Sequence, residues 1–185
     1  MLFNLAVVEE LLRGYDVEVT GSSIAEKKRI NQKTVANYLN MLEKKGIVKS
    51  RFLGRNKIFS LNLGNDEITM NFIMAAEHLK TIEFLDKQLV VKAICSRIKK
   101  HIKGTAAIFG SYAKGIQKKS SDLDIFVVGK ADEDEIEKVA EMYNIKIDIK
   151  IYKTQINPDI LVKEVIKDHV IIKNTEAFVS SVLNG

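Results

Sequence analysis

Three aspartates stand in the sequence where their carboxylates could act together. Asp122 and Asp124 flank Leu123, and side chains two apart on a strand point to the same face. Asp148 lies in a later run in which isoleucine alternates with polar residues, which places it on the polar face of a second strand. Three neighbouring carboxylates repel one another and raise each other's pKa unless cations lie among them. The pattern therefore predicts a site for two Mg²⁺ ions, one activating a hydroxyl and the other clamping phosphate.

A glycine and a serine precede these aspartates at a predicted turn. The apolar run Thr105 to Phe109 predicts a buried strand that ends at Gly110 and Ser111, and a helix is predicted to follow. The first backbone N–H groups of a helix, its dipole and a serine hydroxyl all suit a triphosphate, which the glycine lets approach closely. Lys114 follows within one turn, and its ammonium is either a phosphate contact or a solvated helix lysine.

Gly110-Ser111, ten intervening residues and then Asp122-Leu123-Asp124 resemble the signature of the DNA polymerase β-like nucleotidyltransferase superfamily. The short chain after the signature most resembles the minimal nucleotidyltransferase branch. The resemblance implies that Asp122 and Asp124 hold both metals, and that Asp148 binds the metal at the attacking hydroxyl or accepts its proton. It also implies that Gly110, Ser111 and Lys114 hold the β- and γ-phosphates of a nucleoside triphosphate, with ATP as the expected one.

Each of these signals has a structural alternative. A Gly-Ser pair alone is a turn, Asp-x-Asp is common at strand edges, and one aspartate among isoleucines also marks a solvent-facing side. The order, the spacing and the strand context of the three carboxylates together favour the catalytic interpretation.

Further elements must position this site. Acidic residues 132–135 are predicted to begin a helix that carries Ile136, Val139 and Ala140 on one face. Asn157-Pro158 predicts an N-cap and first residue of another helix, through about Asp168. Residues 170–172 are predicted to be extended, and 175–183 to form the last helix. The expected domain is a small α/β unit with a mixed sheet of about three to five strands.

The N-terminal third has a different pattern. A first helix is predicted to stop at Gly14, a second to begin with a Ser23/Glu26 capping box, and a third to run from about Gln32 to Lys45 after an Asn31 N-cap. Residues 47–52 and 57–61 predict a hairpin. This stretch resembles the winged helix-turn-helix family, in which the third helix enters the DNA major groove and the hairpin contacts the backbone or minor groove.

The resemblance implies DNA contacts from the third helix and from the hairpin, or wing. The candidate residues are Gln32, Lys33, Thr34, Asn37, Tyr38, Arg55 and Lys57. Tyr38 neighbours a predicted core leucine, so core packing is an equal alternative. Winged helices also serve as protein–protein modules, but charge favours double-stranded DNA: residues 1–63 hold 11 Lys and Arg against 6 Asp and Glu.

The charge of the C-terminal part differs from that of the N-terminal part, which suggests two domains with different functions. Residues 104–185 hold 11 Lys and Arg against 13 Asp and Glu, within a chain whose formal net charge is +5. We predict a winged helix-turn-helix over 1–63, a helical connector over 64–103 in which Asn65 caps the first helix, and a nucleotidyltransferase domain over 104–185. No apolar run is long enough to span a membrane, and we expect a cytoplasmic protein.

The sequence thus predicts an α+β protein that transfers a nucleoside monophosphate to a hydroxyl of a protein or small molecule and also binds DNA. The alternative is a transcription regulator whose nucleotidyltransferase domain senses a nucleotide or binds a partner. By analogy with the family, a helical partner protein is a candidate acceptor. Symmetric DNA sites make a homodimer the expected state.

Overall fold

The computed structural model describes residues 4–64, 66–152 and 160–183 of the 185-residue chain. The chain divides into two compact units, Met1–Ala76 and Glu77–Gly185. The boundary between the units falls inside a long helix, α4, so the predicted domain limits at residues 63 and 103 remain predictions. The predicted caps Asn65 and Asn157-Pro158 lie outside the described residues.

The N-terminal unit contains helices followed by a hairpin. Its elements are α1 (Leu5–Leu12), β1 (Val19–Thr20), α2 (Gly21–Lys28), α3 (Gln32–Lys44), β2 (Val48–Leu53), β3 (Asn56–Leu61) and the first part of α4 (Asp66–Lys87). The three strands form an antiparallel sheet in the order β1-β3-β2. The predicted helices and hairpin are confirmed; most of their ends are shifted by one or two residues, and the start of α2 by three.

The start of α2 differs from the prediction. Thr20, not Ser23, is the N-cap: its side chain accepts a hydrogen bond from Ser23 N at 3.1 Å, and Ser23 Oγ lies 3.3 Å from Thr20 N. The capping box is therefore shifted three residues toward the N-terminus, and Ser23 is its second member. The sequence was ambiguous because Thr20 and Ser23 both carry the hydroxyl that a cap requires.

Helix α3 follows its sequence pattern closely. The Asn31 side chain accepts hydrogen bonds from the backbone N–H groups of Lys33 and Thr34, as the predicted N-cap should. The predicted apolar face is buried, and Val35, Leu39 and Leu42 are all 0% exposed. Burial of such side chains contributes about 1.5–3 kcal/mol each, which stabilises the orientation of the opposite, polar face.

The C-terminal unit is built on a four-stranded mixed sheet. Its further elements are α5 (Leu89–Ile98), a short 3₁₀ turn (Lys99–His101), β4 (Ile102–Ile108), α6 (Gly110–Ala113), β5 (Leu123–Ala131), α7 (Glu133–Tyr143), β6 (Ile147–Tyr152), α8 (Ile160–Lys167), β7 (Val170–Lys173) and α9 (Thr175–Leu183). The strand order is β6-β5-β4-β7. Strand β4 is antiparallel to β5 and β7, whereas β5 and β6 are parallel. The predicted mixed sheet is confirmed.

Helices α5 and α7 supply one side of the core of this unit. Val91, Ile94 and Ile98 of α5 pack in one buried cluster with sheet residues and with Ile136 and Val139 of α7. Asp132 caps α7 by accepting a hydrogen bond from Glu135 N at 3.3 Å, which confirms the predicted role of the acidic run. Because alternate residues of β5 and β6 face this core, the residues between them are directed to the other face of the sheet.

A buried carboxylate connects α4 to the residue before β7. Glu77 Oε1 lies 3.2 Å from His169 Nε2, and Glu77 Oε2 lies 2.6 Å from Lys80 Nζ. His169 Nδ1 lies 3.0 Å from the carbonyl oxygens of Val165 and Ile166. Burial by itself raises the pKa of Glu77, but the charges of His169 and Lys80 outweigh it and lower that pKa to about 2.

No helix in the described part of the chain has the length and apolarity needed to cross a membrane.

Candidate active site

A tight contact between a glycine and a carboxylate defines the centre of the candidate site. Gly110 follows β4 with a φ of 68°, and a Cβ built there would lie only 2.1 Å from Asp124 Oδ2. The backbone also connects the two segments, because Phe109 N donates a hydrogen bond to Asp124 O at 3.1 Å. The positive φ and this close approach both require glycine. The sequence predicted that a phosphate would approach Gly110, whereas the group packed against it is the carboxylate of Asp124.

The sheet register brings the predicted carboxylates into one neighbourhood. Asp124 of β5 and Asp148 of β6 are direct partners in the parallel pair. Asp122 lies two residues before Asp124, next to the backbone hydrogen bond from Leu123 N to Lys146 O at 2.8 Å. Leu123 and Ile125 are buried in the core, so alternation places both aspartates on the opposite face.

Two lysines lie among these carboxylates. Lys146 Nζ lies 2.6 Å from Asp122 Oδ2, and Lys150 Nζ lies 3.0 Å from Asp148 Oδ1. Neither lysine was among the site residues predicted from the sequence. A signal was available, because Lys146, Asp148 and Lys150 alternate with isoleucines and therefore share one face of β6.

Asp124 has no such lysine partner among the described residues, and its electrostatic environment is unfavourable for charge. Burial raises the pKa of Asp124, and the neighbouring carboxylates of Asp148 and then Asp122 raise it further. Lys150 and Lys146 offset only part of this effect. A carboxyl group whose ionised form is disfavoured in this way gains most from a bound cation.

The donor set suits a hard cation, although its present arrangement is not that of a formed metal site. Carboxylate oxygens are the ligands that Mg²⁺ prefers, and the close packing of Asp124 on Gly110 holds one of them in place. Within residues 4–64, 66–152 and 160–183, however, no three His, Cys, Asp or Glu side chains are grouped so that they could hold a metal ion. Asp122 and Asp148 are instead paired with lysines. Binding of metal by all three aspartates would require their side chains to reorient.

The predicted phosphate-binding residues lie in and after a helix of one turn. Helix α6 spans only Gly110–Ala113, so its dipole is small. Ser111 is half-buried and Lys114 is exposed at the C-cap of this turn. Backbone N–H groups, the Ser111 hydroxyl and the Lys114 ammonium therefore remain as candidate phosphate contacts.

The predicted DNA-contact residues of α3 divide into exposed and buried ones. Gln32, Lys33, Thr34 and Asn37 are all exposed. Tyr38, by contrast, is only 8% exposed, and burial raises the pKa of its phenol. The proposed base contact of Tyr38 is therefore corrected to core packing, because its position next to Leu39 turns the ring inward.

The two basic residues predicted on the wing also differ. Arg55 is exposed in the two-residue loop between β2 and β3. Lys57 is half-buried, and its ammonium lies 2.6 Å from Glu43 Oε2 and 3.1 Å from Asn40 Oδ1. Lys57 would have to give up these partners to bind a phosphate, so Arg55 is the better candidate.

Comparisons with known proteins place this geometry in a family. The family model described as "Nucleotidyltransferase domain" matches residues 87–180, just over half of the chain. The matched residues begin in the predicted connector, ahead of the predicted domain start at residue 104. None of the curated proteins compared with the chain matches it.

Two solved structures show weak likeness. One, described as "Crystal structure of the toxin-antitoxin with AMP-PNP", is 19% identical over 57% of this chain and 82% of that chain, with a TM-score of 0.36. The other, of the archaeal chromatin protein TrmBL2, described as showing a novel mode of DNA binding, is 16% identical over 82% of this chain and 66% of that chain, with a TM-score of 0.26. Neither likeness is close enough to assign an activity. The family match over residues 87–180 assigns the chain to its family without them. The chain belongs to the nucleotidyltransferase domain family, and the protein is a nucleotidyltransferase.

Proposed function

We propose that the protein transfers a nucleoside monophosphate from a nucleoside triphosphate, with ATP as the expected donor, to a hydroxyl acceptor at Asp122, Asp124 and Asp148. The observation that carries this proposal is the position of Asp124, which is packed against Gly110 and lies in register with Asp148. Nucleotidyltransferases of this family generally use divalent metal ions. The charged form of Asp124 is disfavoured by its surroundings, and a divalent ion bound among the three carboxylates would stabilise it.

Two Mg²⁺ ions, when bound, would supply a lowered pKa for the attacking hydroxyl and charge neutralisation for the triphosphate. Asp122 and Asp124 would hold both ions, and Asp148 would hold the one at the hydroxyl or accept the hydroxyl proton. The acceptor oxygen would form a bond to the α-phosphorus while the bond from that phosphorus to the β-phosphate bridging oxygen breaks. The electron pair leaves with pyrophosphate, and the proton passes to Asp148 or to solvent.

The remaining residues of the proposed site would position the triphosphate. The Gly110-Ser111 backbone and the Ser111 hydroxyl can donate hydrogen bonds to phosphate oxygens, and Lys114 can add a charge-assisted contact. This arrangement does not depend on a long helix dipole, which the single turn of α6 lacks.

Calorimetry and a labelling assay test the activity. Each nucleoside triphosphate is titrated into the protein with Mg²⁺ and again with a chelator, and labelled triphosphates are then incubated with protein and cell extract. We expect binding only with Mg²⁺, since the aspartates otherwise repel the anionic ligand, and transfer of label to an acceptor. Equal binding in the presence of chelator would contradict the metal model.

We further propose that the N-terminal unit is a winged helix-turn-helix that binds double-stranded DNA as a homodimer. Support comes from the exposed polar side of α3 beyond its Asn31 cap and from the exposed Arg55 at the tip of the hairpin. Lys33 and Arg55 form no ion pair with any described residue, so both are available for phosphates. A gel-shift titration across a salt series tests the proposal, because affinity should fall steeply with salt.

A second candidate function is a transcription regulator that uses the nucleotidyltransferase domain to sense a nucleotide or bind a partner. The pairing of Asp122 with Lys146 and of Asp148 with Lys150 favours it, because these lysines already neutralise two of the carboxylates. Absence of transfer with every triphosphate, together with a change in DNA affinity on adding one, would support this alternative. A helical partner protein is the candidate acceptor or bound partner.

A further inference from the structure

A groove lies beside the proposed reacting centre, between α7 and the edge strand β6. Its volume is about 650 Å³. The floor is apolar and is formed by Ile136 and Ala140 of α7 together with Ile145, Ile147 and Ile149 along β6. These three isoleucines are only half-buried, so part of their apolar surface remains accessible along the groove.

Strand β6 gives this groove a polar side. Among the described strands β6 pairs only with β5, and it is the outermost strand in the order β6-β5-β4-β7. An edge strand presents a row of backbone N–H and C=O groups that no neighbouring strand satisfies. An extended peptide can satisfy that row by adding to the sheet, with alternate side chains entering the adjacent groove.

The wall of the groove opposite the strand carries negative charge. Glu133, Glu137 and Glu141 of α7 are four residues apart, so they lie on one face of the helix, and all three line the groove. None of the three forms an ion pair with a described residue. The basic lining residues are Lys119 and Lys146, of which Lys146 is already bound to Asp122. The groove therefore favours a cationic occupant over an anionic one such as the triphosphate.

The groove also reaches the proposed reacting centre. Asp122 and Asp148 are both part of its lining. The acidic wall from Glu133 to Glu141 spans about 12 Å at 1.5 Å per helical residue, which is the length of about four extended residues. Its dimensions thus suit a short extended segment whose side chains alternate between the acidic wall and the carboxylates.

We propose that this groove binds the acceptor, and that the acceptor is an extended polypeptide segment rich in lysine or arginine. The segment lies along β6, its basic side chains contact Glu133, Glu137 and Glu141, and a serine, threonine or tyrosine hydroxyl lies beside Asp148. The assignment of the hydroxyl as acceptor rests on the proposed function. The binding of a basic segment rests on the groove alone.

Fluorescence anisotropy without nucleotide tests the binding. The probe is a labelled eight-residue peptide in which lysine and serine alternate, and the control peptide has glutamate in place of lysine. We expect saturable binding of the lysine peptide only, weakened at least tenfold in the E133Q/E137Q/E141Q variant. The matched variant E26Q/E67Q/E83Q loses the same charge at exposed positions outside the groove and should bind like wild type. Equal loss in both variants, or equal binding of the two peptides, would overturn the proposal.

N-methylated peptides test whether the segment adds to the edge of β6. N-methylation of alternate residues removes the N–H groups on one side of the strand only. One of the two N-methylated series should lose binding at least tenfold, and the other should retain it. Retained binding in both series would show that the peptide does not pair with the edge of β6. Displacement of the lysine peptide by spermidine at equal charge would show that the groove binds any simple polycation. Either result would overturn the assignment.

The two proposals fail in different ways. Asp124→Asn should retain peptide binding, and the E133Q/E137Q/E141Q variant should retain Mg²⁺-dependent binding of triphosphate. Absence of peptide binding with intact triphosphate binding overturns the groove assignment alone. Intact peptide binding in a protein that binds no triphosphate overturns the proposed transfer and leaves the groove as a peptide site.

Discussion

The ion pairs of the N-terminal unit and the surroundings of Asp124 in the C-terminal unit show two opposite arrangements of charge. In the N-terminal unit, acidic residues are matched with basic ones: Lys27 with Glu10 at 2.6 Å, Arg51 with Glu18 at 2.6 Å and Lys57 with Glu43 at 2.6 Å. In the C-terminal unit, Asp124 lies beside two further carboxylates, and its pKa is raised by burial and by them.

This difference separates two uses of charged residues. An ion pair at the surface contributes little to stability, and each partner neutralises the charge of the other. Crowded like charges are unfavourable, and a fold retains them where a ligand compensates. Pairing therefore makes Lys57 a weaker candidate for DNA binding than Arg55, whereas crowding makes Asp124 the leading catalytic candidate.

Replacement of Asp124 by Asn should cause the largest loss. Loss of one metal-binding carboxylate removes several kcal/mol of transition-state stabilisation, which corresponds to a decrease in nucleotide transfer of about a thousandfold or more. The measurement is the rate of label transfer, with Asp16→Asn as an exposed control in the other unit. Because the folded-state pKa of Asp124 is raised, its charge destabilises the metal-free fold above that pKa. The variant should therefore unfold at a higher temperature than wild type at neutral pH, and the difference should shrink as pH falls.

The buried carboxylate of Glu77 has the opposite pKa behaviour in the same unit. Glu77→Gln should reduce the free energy of unfolding by about 3 kcal/mol at pH 7, because Gln removes the buried negative charge that lies 2.6 Å from the ammonium of Lys80. The pKa of Glu77 is lowered from 4.5 to about 2, so its contribution is present above 4.5 and is lost as pH falls toward 2. Urea unfolding at several pH values should show the difference between wild type and variant shrinking over that range. Glu83→Gln, on the exposed side of α4, is the control.

The contact between Gly110 and Asp124 can be disrupted without removing a carboxylate. Gly110→Ala places a Cβ only 2.1 Å from Asp124 Oδ2, so that the carboxylate must move. A displacement of about 1 Å at a reacting centre costs about a hundredfold in rate. Gly115→Ala is a matched control, because Gly115 has a φ of 69° and no atom within 4 Å of a built Cβ. Similar transfer rates in the two variants would show that backbone strain, and not the contact with Asp124, is responsible.

Unpaired and paired basic residues of the N-terminal unit should differ in their effect on DNA binding. Replacement of Lys33 and Arg55 by Ala should reduce the slope of log affinity against log salt by about 1.8, or about 0.9 per phosphate contact. The affinity itself should fall about tenfold. Lys57→Ala should leave the slope unchanged, since its ammonium is engaged by Glu43. If Lys57→Ala reduces the slope as much as the Lys33 and Arg55 replacements do, an ion pair within the protein does not prevent a lysine from binding phosphate.

The smallest effect is expected from the lysines at the carboxylates. Lys146→Gln and Lys150→Gln remove the ammonium groups that are paired with Asp122 and Asp148 and that would compete with cations at the proposed site. Exposed ion pairs contribute about 0.2–1 kcal/mol, so Mg²⁺ affinity measured by calorimetry should rise by up to about fivefold. Lys92→Gln, which breaks the exposed pair with Asp86, should not change it. Weaker Mg²⁺ binding in the site variants would contradict competition.

Local patterns in the sequence determined much of this architecture. Burial of Val35, Leu39 and Leu42, capping by Asn31 and Asp132, and the common face of Asp122 and Asp124 all follow from periodicity and capping rules. These features depend on residues within a few positions of one another. The nucleotidyltransferase signature is likewise a matter of residue type and spacing, which is why the family was recognisable before the fold.

Tertiary structure decided which of these residues meet. The pairing of Lys146 with Asp122 spans 24 positions, that of Lys57 with Glu43 spans 14, and the contact of Gly110 with Asp124 depends on strand packing. Tyr38 is a further example. Its sequence position was compatible both with the DNA-facing side of α3 and with the core, and only the packing of α3 places the ring in the core. Periodicity specifies the side of an element on which a residue lies, whereas contacts over a few ångströms depend on how the elements pack together.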